Sequence, residues 1–62
     1  MRNKLIFLRG KRTQCEVGKS IGISQKYMSA LELGKRNPSI RIMRRFEEYF
    51  GVNMRELFSD LF

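Results

Sequence analysis

The chain has 62 residues, with 13 Lys or Arg against 6 Asp or Glu and a formal net charge of +7. One cysteine and no histidine exclude an internal disulfide, leave no plausible zinc site and remove the commonest general base. A chain this short forms at most one domain, which buries only ~60% of its unfolded surface. No apolar run approaches the ~20 residues of a membrane span. The basic start lacks the apolar region and cleavage site of a signal peptide. These features point to a cytoplasmic protein with no cofactor and no catalytic apparatus. The charge is unevenly spread. Residues 1–45 hold 12 basic residues against Glu16 and Glu32, whereas residues 46–62 hold Arg55 against Glu47, Glu48, Glu56 and Asp60. A basic body of this kind attracts a polyanion, most often nucleic acid.

In chain order, residues 2–9 carry Leu5, Ile6 and Leu8 among basic residues and predict a first helix stopped by Gly10. Thr13 with Glu16 fits a capping box. It opens a second helix over residues 14–21, with Val17 and Ile21 on one face and Gly22 at its end. Two turns are too few to stand alone, so this helix must pack on a neighbour. Ser24 caps a third helix over residues 25–33, which Gly34 ends. Residues 35–38 read as a loop, because asparagine before proline disfavours helix. Ser39 caps a fourth helix over residues 40–50, with Ile42, Met43, Phe46 and Phe50 as its core candidates. Asn53 with Glu56 repeats the capping-box spacing before a short fifth helix over residues 54–61. There is no alternating run and no hairpin signal, so the expected class is all-α with five short helices.

The second helix, its glycine turn and the third helix form a helix-turn-helix over residues 14–33. In that motif the second helix places its N-terminal residues in the major groove of DNA. Projected at ~100° per residue, the third helix turns Met28 and Leu31 to one side and Gln25, Lys26, Ser29, Ala30 and Leu33 to the other. The outward set suits a groove. Glutamine can pair with adenine N6 and N7, lysine with guanine and serine with either, and alanine allows close approach. Leu33 on this face is expected to pack on the following loop rather than read a base.

Thr13-Gln14, Gly22-Ile23-Ser24, Leu31-Glu32, Gly34-Lys35, Asn37-Pro38-Ser39, Gly51-Val52 and Glu56-Leu57-Phe58 occur in an order and spacing that resemble one family. Over residues 5–58 the chain looks like the Cro and phage-repressor type of helix-turn-helix domain, also called the xenobiotic-response-element type. The resemblance implies a compact five-helix, lambda-repressor-like domain. It also implies a transcriptional regulator of bacterial, phage or mobile-element type that binds palindromic operators as a dimer. By position, Gln14 would donate to a DNA phosphate, and Ser24, Gln25, Lys26, Ser29 and Ala30 would face bases. Tyr27 would bring its hydroxyl near a phosphate, and Lys35, Arg36 and Asn37 would touch the backbone. Members often pair an arginine of the first helix with the glutamate at Glu32, for which Arg9 is the candidate here.

The chain also departs from the pattern. The stretch from Arg9 to Thr13 is shorter than usual, Arg12 replaces an apolar residue, Gly18 stands where alanine is usual, and Glu47 stands where a small apolar residue is common. Lys11, Arg12 and Lys19 are open to phosphate contact or to plain solvation. Cys15 reads as an ordinary, partly buried cysteine.

The tail, FEEYFGVNMRELFSDLF, is rich in apolar residues. Exposed patches of that kind mark interfaces, so Leu57, Phe58, Leu61 and Phe62 are the expected homodimer surface, within a tail of residues 53–62. The competing reading is that they close the core of one monomer. At the level of function, the alternative to a repressor of double-stranded DNA is an antitoxin or adaptor whose tail binds a protein partner.

Overall fold

Three side-chain oxygens start three of the helices. Thr13 Oγ1 accepts from the Glu16 N–H at 3.0 Å, Ser24 Oγ from the Tyr27 N–H at 3.1 Å, and Ser39 Oγ from the Ile42 N–H at 3.2 Å. Each such cap contributes about 1 kcal/mol. The computed structural model describes residues 1–62 and contains α1 (Asn3–Arg9), α2 (Gln14–Ile21), α3 (Gln25–Leu33), α4 (Ile40–Phe50) and α5 (Met54–Leu57), followed by a 3-10 turn over Ser59–Leu61. There is no strand, so the all-α expectation holds. No helix is long and apolar enough to cross a membrane.

The fifth helix is shorter than its sequence pattern suggests. At Phe58 the backbone leaves helical geometry (φ −122°, ψ 46°), and the ring turns into the core, where it is fully buried. Asn53 caps α5 by accepting from the Arg55 N–H at 2.8 Å. The neighbouring N–H, that of Met54, is taken by Glu47 Oε2 at 2.9 Å. A carboxylate thus replaces the small apolar residue that the resemblance leads one to expect, and it fastens the last turn of α4 to the first turn of α5.

The core consists of Leu5, Val17, Ile21, Met28, Leu31, Met43, Phe46, Leu57 and Phe58. Phe46 is its centre, with the Phe58 ring meeting it edge-on at 5.6 Å and the Phe50 ring stacked at 6.2 Å. Two residues expected at a dimer interface are therefore misplaced by the sequence reading. Leu57 and Phe58 close the monomer core, because a domain this small needs its tail aromatics to cover Phe46. Leu61 packs half-buried against that core and Phe62 remains exposed.

Arg12 explains the missing apolar residue before Thr13. Its guanidinium lies over the rings of Tyr49 and Phe50 at 5.1 and 5.4 Å. It donates to the Tyr49 hydroxyl at 2.8 Å and to the carbonyls of Leu8 and Arg9 at 2.9 and 3.3 Å. The side chain covers the aromatic edge of the core and caps the end of α1, so it is engaged within the fold.

The angle between α2 and α3 depends on Gly18. A Cβ there would lie 2.9 Å from the Ile23 carbonyl oxygen and 3.4 Å from that of Ser24, both backbone atoms of the turn. The turn begins at Gly22, whose φ of +94° favours glycine. Gly18→Ala is expected to lower stability by about 1 kcal/mol, since overpacking against backbone outweighs the gain in helix propensity. A chemical-denaturation midpoint decides it; a more stable variant would show that the turn can yield.

Candidate nucleic-acid interface

Helix α3 is anchored by Met28 and Leu31, both fully buried, and by the 3%-exposed Glu32. Turning those inward leaves Gln25, Lys26 and Leu33 exposed and Ser29 and Ala30 half-exposed, all lining one shallow trough with Lys35. A second depression beside it is lined by Ser24, Lys26, Tyr27, Ala30 and Arg36. The structure thus brings the five residues assigned to bases onto one surface, flanked by Tyr27, Lys35 and Arg36. Leu33 stays 43% exposed rather than packing on the loop. Lys26, Lys35 and Arg36 have no carboxylate within ion-pair distance. A helix with its side chains is ~10–12 Å across, which matches a major groove ~12 Å wide.

A chain of bonds runs beneath this surface from the last turn of α3 to its first residue. Arg9 meets the buried Glu32 carboxylate with two bonds, Nε to Oε2 at 2.6 Å and Nη2 to Oε1 at 3.2 Å. The short connection after α1 does not prevent that pairing. Gln14 Nε2 donates to Glu32 Oε1 at 2.9 Å. A carboxylate only accepts, so this bond fixes the orientation of the Gln14 amide. Its Oε1 then faces Gln25 Nε2 at 3.5 Å, a long contact that aligns the two glutamines. One Gln14 N–H is thus engaged internally, and the other remains for an outside acceptor.

The C-terminal end is held by a residue that sequence reasoning missed. Arg2 is 5% exposed and reaches the last turn of α3, the loop after it and the tail. Asn37 is among its acceptors, through Oδ1 at 2.8 Å. No local pattern marks Arg2, whose partners lie 29 to 58 residues away. Cys15, expected to be partly buried, is exposed and free, because its position on α2 faces away from Val17 and Ile21.

Fold and surface together define a helix-turn-helix DNA-binding domain. Residues 4–57 match the family described as helix-turn-helix. The chain is 33% identical over 60 residues to an uncharacterized HTH-type transcriptional regulator of Methanocaldococcus jannaschii, covering 94% of this chain and 91% of the relative. It is 36% identical over 62 residues to the control protein C.MunI of a Mycoplasma species, covering 95% and 84%. An uncharacterized HTH-type transcriptional regulator of Archaeoglobus fulgidus is 33% identical over 60 residues, covering 94% and 86%. No solved structure gives a significant match. The chain belongs to the helix-turn-helix family of the Cro and phage-repressor type, whose members are DNA-binding transcriptional regulators rather than enzymes.

Removing Arg9 strands the buried Glu32 carboxylate. Arg9→Ala is expected to cost about 3–5 kcal/mol, a large part of the stability of a domain this size, whereas Glu32→Gln is milder because the neutral amide leaves no buried charge. Thermal unfolding of both variants tests this, and equal losses would refute it.

Proposed function

We propose that the protein is a sequence-specific transcriptional repressor that binds a palindromic operator as a homodimer. The observation that carries this reading is the outward face of α3. Gln25, Lys26, Ser29 and Ala30 share one trough, bordered by unpaired cations at Lys35 and Arg36. Ser24, Gln25, Lys26, Ser29 and Ala30 read base edges from the major groove. Gln14, Tyr27, Lys35, Arg36 and Asn37 hold phosphates, which supply affinity and register while the bases supply sequence choice. The location that follows is the cytoplasm, at the nucleoid.

Size supports two copies. The domain extends 26 × 23 × 20 Å, so one copy cannot reach two half-sites set ~34 Å apart, one helical turn of DNA. With Leu57 and Phe58 inside the monomer, Leu61 and the 58%-exposed Phe62 are the residues of the expected interface that a second copy would cover. A protein partner at the same tail, as in an antitoxin or adaptor, is the competing use of that surface.

Selection from random duplex DNA, with binding repeated across salt, tests the reading. It should enrich an inverted repeat whose half-sites lie about one turn apart. The double variant Gln25→Ala, Lys26→Ala should keep the helical circular dichroism and lose the sequence preference; retained preference would place the reading face elsewhere. Phe62→Asp should shift sedimentation from dimer to monomer and weaken operator binding. A wild-type chain that sediments as a monomer both free and on DNA would remove the dimer.

A further inference from the structure

Arg2 lies outside the helix-turn-helix and away from the outward face of α3, yet its guanidinium is fully partnered. A guanidinium has five N–H donors and no acceptor, and here each donor has a partner. Nη1 donates to the carbonyls of Leu31 at 2.6 Å and Arg36 at 2.8 Å. Nη2 donates to Asn37 Oδ1 at 2.8 Å and Asp60 Oδ2 at 3.0 Å, and Nε donates to Asp60 Oδ1 at 3.2 Å. The backbone N–H of Arg2 takes the Glu32 carbonyl at 2.8 Å, and the Phe58 ring lies 5.4 Å from the guanidinium carbon.

This arrangement fixes three things at the end of α3. Leu31 and Glu32 lie in the last turn of the helix, whose carbonyls lack helical partners and where negative partial charge collects. A buried cation there sets where the helix stops. The Arg36 carbonyl is held as well, so the path of the loop is set residue by residue. Because Arg2 only donates, Asn37 must turn its oxygen inward, leaving its NH2 group as an outward-facing donor of the kind a phosphate oxygen accepts. Asp60, from the 3-10 turn 58 residues along the chain, grips the guanidinium by two bonds and keeps it in place.

We propose that Arg2, held by Asp60, is a positioning residue for DNA binding: it presents the loop of residues 35–37 to a DNA phosphate and so makes the tail part of the DNA-binding apparatus. The inference rests on the reading of that loop as a phosphate contact given under the proposed function. At Asp60, position and charge act in opposite directions. Removing the carboxylate raises the formal charge from +7 to +8, which by counter-ion release alone tightens binding to DNA. Removing the clamp releases the loop and weakens binding.

The test is Asp60→Ala, with Asp60→Glu as the conservative variant. Affinity for the selected operator duplex is measured across salt, and amide hydrogen exchange is followed at Lys35 and Arg36, whose N–H groups bond to the Ala30 carbonyl at 2.9 and 3.3 Å. Asp60→Ala should bind several-fold more weakly, with a log–log salt slope smaller by about one. Exchange at both amides should quicken while the helical signal is kept, and Asp60→Glu should recover most of the affinity. If Asp60→Ala is unfolded at the assay temperature, Asp60→Asn, which keeps one acceptor, is read in the same way. Binding as tight as or tighter than wild type, or unchanged exchange, overturns the proposal. Failure of the functional reading itself is visible earlier, as a wild-type chain that selects no duplex.

Discussion

Two charged side chains, Arg2 and Glu32, are buried in this small domain, and the rest of the structure is arranged so that neither lacks a partner. A buried charge without partners costs several kcal/mol, comparable with the whole stability of a marginal domain. Glu32 draws on α1 through Arg9 and on α2 through Gln14. Arg2 draws on α3, the following loop and the 3-10 turn. The arrangement of helices that satisfies both sets leaves the outward face of α3 clear. Apolar burial gives the domain its compactness; these two charges tie α3 to α1, α2 and the 3-10 turn.

Local features of the fold were legible because they depend on neighbours in sequence. Thr13, Ser24 and Ser39 act within three residues, and glycines end α2, α3 and α4 in left-handed geometry. The outward face of α3 was equally readable, since helical periodicity alone separates Gln25 and Lys26 from Met28 and Leu31. What could not be read depends on distant contacts. Arg12 looks like a solvated cation until Tyr49 and Phe50 are placed beneath it. Glu47 looks misplaced until α5 begins at its carboxylate. The apolar count of the tail was correct, but how much of it one monomer consumes depends on how deeply Phe58 enters beside Phe46.

The charge pattern also changes meaning once the fold is known. Arg2, Arg9 and Arg12 are engaged within the structure, and Arg45 donates to the Ile21 carbonyl at 3.0 Å, beside the turn of the helix-turn-helix. These cations hold the scaffold. Lys26 at the start of α3, and Lys35 and Arg36 after its end, by contrast have no carboxylate partner.

The 3.0 Å bond between Arg2 and Asp60 also brings the two ends of the chain together. Sequence attached at either end leaves the domain from the same side, next to the C-terminal turn of α3. A short flexible linker could join the ends, and the chain could then be reopened at an exposed bend without breaking the core. During synthesis, the clamp around Arg2 can close only after the residue at position 60 has emerged, 58 residues later.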